Sequence, residues 1–187
     1  GGVNAWISIM RGCDKFCTFC IVPFTRGRER SRSLNSIVVE AKDAVKNGYR
    51  ELTLLGQNVN SYRYNDYKFH NLLKTISQIS GVDRVRYTSP HPQDISDQLL
   101  ETMRKYDNIC NYIHLPLQSG SDRILKRMHR SYSKGDFLIL AKKIRQTLPG
   151  VGISTDIIVG FPGETEEDFL ETISVMEDVK FDSAFNF

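Results

Sequence analysis

The sequence predicts an α/β fold, a partial (β/α)6 TIM-like barrel of parallel strands with outer helices, and three observations carry that expectation. Short apolar runs alternate with stretches of helical periodicity along the whole chain, the pattern of a parallel sheet with crossover helices. Six such runs start within 187 residues, about 31 residues each, which is the size of one strand-plus-helix unit, whereas an eightfold barrel takes roughly 250 residues. The makeup of 40% hydrophobic and 25% charged residues is that of a globular domain able to bury a core. An open doubly wound sheet is the alternative that the same alternation allows.

The first run, residues 5–10, leads directly into a loop with three cysteines. A helix follows over 34–47, with Ile37, Val38, Ala41, Ala44 and Val45 on one stripe and Gly48 placed as the terminating glycine. The second run is 51–55. A polar, tyrosine-rich loop (58–68) precedes a helix marked by Leu72, Leu73, Ile76 and Ile79 and closed by Gly81. The third run, 84–88, stops at Pro90 and Pro92, and Ser96 caps a helix bearing Leu99, Leu100 and Met103. A fourth run, 112–117, reaches the polar turn Gln118-Ser119-Gly120-Ser121. Ser133 and Asp136 form a capping box for a helix through Phe137, Leu140, Ile144 and Leu148, which Pro149-Gly150 ends. The fifth run is 152–159. After the turn 160–163, Thr165 and Asp168 cap a helix bearing Phe169, Ile173, Met176 and Val179, and a sixth run starts at 183. The sequence stops inside that run, so a piece of a longer protein is expected.

No apolar run approaches the roughly 18 residues of a membrane span, and Gly1-Gly2-Val3-Asn4 lacks the layout of a signal peptide, so no membrane association and a cytoplasmic protein are expected. With 25 basic and 22 acidic residues the net charge is +3, and any nucleic-acid contact must come from clustering. Arg26, Arg28, Arg30 and Arg32 supply such a cluster on alternate positions, opposed only by Glu29; a solvated charge run is the plainer reading.

Three of the four cysteines carry the strongest signal. Cys13, Cys17 and Cys20 are spaced C-x3-C-x2-C, while Cys110 lies far away as an inert, buried thiol, a poor layout for disulfides and a good one for a metal in a reducing compartment. Three soft thiolates on a tight loop can each hold one iron of a [4Fe-4S] cluster and leave the fourth iron open to an external ligand. Structural zinc would need a fourth ligand from Cys110, His70, His91, His114 or His129, none near the loop in sequence. Phe19, beside the last cysteine, could cover a ligand stacked on the cluster or simply pack.

At these residues the sequence resembles the radical S-adenosylmethionine (SAM) enzymes, whose loop reads C-x3-C-x-aromatic-C. The stretch from Arg11-Gly12-Cys13 through Cys20-Ile21-Val22-Pro23-Phe24-Thr25-Arg26-Gly27 to Ser33 resembles their methylthiotransferase branch. Leu55-Gly56-Gln57-Asn58-Val59-Asn60-Ser61-Tyr62 and Tyr87-Thr88-Ser89-Pro90-His91-Pro92 are similar to the MiaB type, which acts on tRNA. The resemblance implies a partial barrel with the cluster loop after the first strand, the open iron chelated by SAM, and reductive SAM cleavage to a 5′-deoxyadenosyl radical. The reaction implied is addition of a methylthio group to carbon 2 of N6-isopentenyladenosine next to the tRNA anticodon. A flavodoxin- or ferredoxin-like electron donor and a monomer go with it. Residues 1–187 would be the radical SAM core, with an N-terminal second-cluster domain and a C-terminal RNA-binding β domain outside it. It further implies SAM contacts at strand ends: Gln57 and Asn58, Ser89 and His91, Gln118 and Ser119, and Asp156, with the arginine segment as a phosphate clamp. Three alternatives stay open: a methylthiotransferase acting on threonylcarbamoyladenosine or on a ribosomal protein, a zinc-stabilised RNA-binding module, and a barrel that has lost its chemistry.

Overall fold

The computed structural model describes residues 2–187. In chain order the elements begin with β1 (Asn4–Ser8), β2 (Met10–Arg11), α1 (Val22–Arg26), β3 (Arg30–Ser31), α2 (Leu34–Lys46) and β4 (Glu51–Leu55). A hairpin, β5 (Arg63–Tyr64) and β6 (Tyr67–Lys68), then leads to α3 (Phe69–Ser77), β7 (Arg84–Tyr87) and α4 (Asp97–Lys105). The last third holds β8 (Tyr112–His114), α5 (Asp122–Arg127), α6 (Lys134–Thr147), β9 (Gly152–Ile157), α7 (Glu166–Val179) and β10 (Ser183–Asn186).

Strands β1, β4 and β7 pair in parallel in that order, with Trp6 opposite Thr53 and Thr53 opposite Arg86. Strands β8, β9 and β10 do the same, with His114 opposite Ser154 and Phe185 opposite Asp156. A parallel bridge between Val85 and Ile109 joins the two groups, through Val85 N–H to Asn108 O at 2.8 Å and Cys110 N–H to Val85 O at 3.0 Å. Along the wall, formed by β1, β4, β7, β8, β9 and β10, spatial order therefore follows chain order. That is the winding of a barrel wall, and it replaces the doubly wound alternative, in which strand order reverses.

Each strand of the wall has two unlike faces because its side chains alternate. Ile7, Leu52, Leu54, Val85, Ile113 and Ile153 are fully buried in one apolar cluster with Ile37, Leu72, Ile76, Leu99 and Phe137 of the outer helices. Burial of each such side chain stabilises the fold by about 1.5–3 kcal/mol. The inner face carries polar groups among its aromatics: Thr53 Oγ1 donates to Asn4 Oδ1 at 3.1 Å, and Glu51 pairs with Arg84 at 2.8 Å and Arg86 at 3.1 Å.

The expected caps form. Ser96 Oγ accepts from Leu99 N–H at 3.2 Å, and the Ser133–Asp136 and Thr165–Asp168 pairs make reciprocal capping boxes. The fourth run does not extend to residue 117 as a strand. Pro116 has no N–H to give, Leu117 N–H goes to Thr155 Oγ1 at 3.0 Å, and pairing resumes only at Gln118 with Ile157. The short α1 and α5, the β2–β3 pair and the β5–β6 hairpin are elements that hydrophobic periodicity does not mark. No helix of the described residues is long and apolar enough to cross a membrane.

Candidate functional site

The three cysteines sit on the loop that leaves β2 and returns through α1 to β3, closed at its base by antiparallel pairing of Met10 with Ser31 and Arg11 with Arg30. Gly12 opens the loop at a φ of +80°, and a Cβ there would lie 2.2 Å from Arg28 O, so only glycine fits. Its N–H donates to Gln57 Oε1 at 2.8 Å, and Cys13 N–H donates to Gly27 O at 3.2 Å. Asp14 ties the return segment, accepting from Arg28 Nε at 2.6 Å and Glu29 N–H at 3.1 Å. The Arg28 guanidinium holds the Asp14 carboxyl below the usual carboxylate range.

Further anchors come from the ends of other strands. Beyond β7, Asp94 pairs with Lys15 Nζ at 2.8 Å, and Gln93 Oε1 accepts from the same ammonium at 3.0 Å. Beyond β8, Met128 O accepts from Thr18 N–H at 3.2 Å and Arg127 O from the Thr18 hydroxyl at 3.1 Å. The loop thus lies across the carboxyl ends of the strands, where barrels carry their chemistry. A polar cleft of about 540 Å³ flanks it, lined by Asp14, Lys15, Glu29, Ser61, Arg63 and Asp94.

Sequence reading missed Arg130. His129 takes a left-handed φ of +56° after α5 and turns the chain toward the loop. Arg130 then donates from Nη1 to Cys17 Sγ at 3.3 Å, from Nη2 to Pro116 O at 3.3 Å and from Nε to the Tyr132 hydroxyl at 2.9 Å. Burial pushes Tyr132 up to about 12, so it stays a neutral phenol 2.8 Å from Pro116 O. Cys13 also senses the other two thiols. Burial pushes the Cys13 thiol up, a backbone N–H at Lys15 offsets part of this, and negative charge at Glu29, Cys17 and Cys20 adds to it.

The other expected residues divide. Phe19, on the loop, is 40% exposed. Gln57 braces Gly12, as described. Asn58 is buried beneath the loop, its Nδ2 donating to Asp94 Oδ2 at 2.9 Å and Glu29 Oε1 at 3.3 Å, while its Oδ1 is buried without a partner. Ser89 is exposed in a left-handed turn with φ of +53°. His91 is turned inward: its Nδ1 accepts from Gln93 N–H at 3.3 Å, its ring meets Tyr132 edge-on, and its backbone is clasped by Asn60. Burial, with Arg130 and Lys15 adding to it, pushes its pKa down to about 2. Gln118 is buried at a φ of +70°. Ser119 is fully buried against α7, accepting from Ser121 N–H at 3.2 Å, and its hydroxyl does not face the loop.

Asp156 lies on the inner face of the wall, where His114 Nε2 is 3.1 Å from its carboxylate and His114 Nδ1 is 2.8 Å from Ser154 Oγ, which in turn meets the Tyr112 hydroxyl. Phe185 and Tyr112 flank this chain, and Trp6, 63% exposed, lines a pocket together with Tyr112. That pocket, of about 240 Å³, opens among Asn4, Glu51, Arg86 and Cys110. Cys110 is half-buried there, less enclosed than expected, and burial pushes its thiol up, which keeps it neutral.

The arginines separate by partner. Arg28 is tied to Asp14; Arg32 bonds Ser8 O at 2.6 Å and pairs with Glu40 at 2.6 Å. Arg26 and Arg30 are exposed, and among the described residues neither has an ion-pair partner.

Residues 7–176 match the Radical SAM superfamily. The chain belongs to that superfamily. This radical SAM chain is 51% identical over 99% of its length to the tRNA-2-methylthio-N(6)-dimethylallyladenosine synthase of Thermoanaerobacter sp. (strain X514), and 52% identical over 98% of its length to that of Clostridium tetani. The expectation of a MiaB-type radical SAM core is met. The chain spans about 40% of the length of these curated relatives. Among solved structures it superposes on TsrM from Kitasatospora setae with cobalamin and a [4Fe-4S] cluster bound, with a TM-score of 0.78 and 17% identity over 100% of this chain and 36% of that one. It also matches coproporphyrinogen III oxidase (HemN) from Escherichia coli, with a TM-score of 0.65 and 15% identity over 98% of this chain and 44% of that one. At such identities these matches establish the partial barrel.

Membership of the radical SAM superfamily implies SAM and a [4Fe-4S] cluster, and the residues present fit both. Among the described residues no three His, Cys, Asp or Glu side chains converge on a point that one metal ion could occupy. A cubane asks for something different, since each thiolate takes a separate iron. Cys13 lies close enough to Cys17 and Cys20 to feel their charge, and the unpartnered Asn58 Oδ1 is a buried acceptor beside the loop that lacks a donor.

Proposed function

We propose that this chain is the catalytic core of a tRNA methylthiotransferase, which adds a methylthio group to carbon 2 of N6-isopentenyladenosine beside the anticodon. The observation that carries this reading is the identity of about half of all residues, along 99% of the chain, to a tRNA-2-methylthio-N(6)-dimethylallyladenosine synthase. Cys13, Cys17 and Cys20 would hold the [4Fe-4S] cluster with its fourth iron open to SAM. The cluster, when bound, supplies the electron that cleaves SAM reductively, which an inert aromatic C–H requires because acid–base chemistry cannot activate it.

The chain's own residues bind, orient and shield. The brace from Gln57 to Gly12, the Asp14–Arg28 tie and the Lys15–Asp94 pair fix the loop before any cofactor arrives, so little ordering remains to be done on binding. Asn58 Oδ1 would be the acceptor for the SAM ammonium, and Phe19, partly exposed on the loop, would shield a bound ligand. On the inner face, Trp6, Tyr112 and Phe185 give a flipped purine π-faces to stack on, while His114 and Asp156 offer polar atoms to its edge. Arg26 and Arg30 are the members of the basic segment available to RNA phosphates. The domain boundaries, a flavodoxin- or ferredoxin-type donor and a monomeric state belong to the same proposal.

Anaerobic reconstitution with iron and sulfide tests it. The protein should take up about four irons, show an electron paramagnetic resonance (EPR) spectrum that changes on SAM addition, and give 5′-deoxyadenosine with dithionite. Cys17→Ser should abolish all three. One zinc per chain and no iron would overturn the reading in favour of a zinc-stabilised RNA-binding module.

A further inference from the structure

Among the described residues Arg130 is the one cation that hydrogen-bonds a cysteine of the loop, and its surroundings are unusual for a guanidinium. It is half-buried, and among the described residues no carboxylate pairs with it. Its partners are a carbonyl oxygen, a phenol whose ring it also overlies at 5.0 Å, and the sulfur of Cys17. A partly buried cation without a paired carboxylate is costly, and the atom that faces it from the loop is the Cys17 sulfur. Tyr132 holds the fork in place from behind, anchored on the Pro116 carbonyl at 2.8 Å, so the guanidinium is aimed rather than free.

We infer that Arg130 is a positioning residue that acts through Cys17 to set the reduction potential of the cluster. This rests on the functional reading above and deepens it. A cubane held by three thiolates carries net negative charge, and more of it after accepting an electron. A hydrogen bond and a positive charge on one of its sulfurs therefore favour the reduced form and raise the potential. The electron itself comes from an external one-electron donor, dithionite in the test. Arg130 also fixes which way Cys17 points, because the guanidinium is tied at three atoms.

The experiment compares wild type, Arg130→Met and Arg130→Lys after reconstitution, by thermal melting, iron content and an EPR-monitored redox titration. Arg130→Met should keep its iron and titrate at a lower potential than wild type. Arg130→Lys, which keeps the charge and loses the fork, should fall between them. Arg130→Met with full iron and an unchanged potential overturns the inference. If Arg130→Met does not fold or holds no iron, Arg130→Lys decides alone: a lowered potential supports the inference and an unchanged one overturns it. Failure of wild type to take up a cluster is a different result, one that sinks the functional reading instead.

Discussion

At Gly12 the backbone turns left-handed against the Arg28 carbonyl, and the cysteine loop starts from that turn. A methyl group at this position would force the loop away from the return segment, in addition to the strain of a positive φ, which alone costs about 1–3 kcal/mol. Gly12→Ala should therefore lower stability by at least that amount in urea denaturation and slow iron uptake; unchanged behaviour in both would show that the clasp does not position the thiols. His91 supports a second prediction. In the unfolded chain it gains a proton near pH 6.5, in the fold only near pH 2. Below about pH 6 the unfolded state thus binds the extra proton, so stability falls as pH drops, by up to about 1.4 kcal/mol per unit, and returns above pH 6.5. His91→Gln should flatten that acid limb in denaturation curves taken between about pH 6 and pH 4. The cysteine trio was legible in the sequence because its spacing is local. Arg130 was not, because it meets Cys17 across 113 positions and no motif around it marks the contact. The inward turn of His91 and the burial of Ser119 were equally hidden, since a polar residue after a strand reads the same whether it faces a ligand or a helix.

The long helices were legible because each has an apolar stripe and a start signal. Their caps hold real weight: replacing Ser133 or Thr165 by Ala leaves backbone N–H groups unpaired and should cost about 1 kcal/mol each. Urea midpoints of the two variants check this, and a double variant should lose close to the sum, since the caps belong to different helices. Asp168 at the second cap also accepts from Ser121 and pairs with Arg123, so Thr165→Ala is the variant expected to exceed that figure. Short elements escaped because one turn of helix or two residues of strand show no period. The fourth strand was read three residues too long for the opposite reason. Its apolar composition continues through Leu117, but Pro116 breaks the ladder and Thr155 Oγ1 takes over from backbone.

Over the whole molecule, charge and aromatic surface set the predictions for RNA. Among the described residues Arg26 and Arg30 make no ion pair, whereas Arg32 is tied to Ser8 and Glu40. Arg26→Ala and Arg30→Ala should each weaken tRNA binding and reduce the slope of log K against log salt by about one. Arg32→Ala should act mainly on melting temperature; the reverse pattern would assign the clamp to the wrong arginines. Trp6 is the sole tryptophan of the chain and stands exposed on the inner face. An anticodon stem-loop with isopentenyladenosine should quench or shift its emission, and an unaltered spectrum at saturating RNA would place the base elsewhere.

The division between the two faces of the wall has one more consequence. Cohesion comes from the contact of strands with helices, so the residues around Trp6, Tyr112 and Phe185 are released from the task of keeping the chain folded. A lining under so little mechanical obligation can be rewritten for a differently shaped guest while the shell, the clasp and the thiol loop stay as they are.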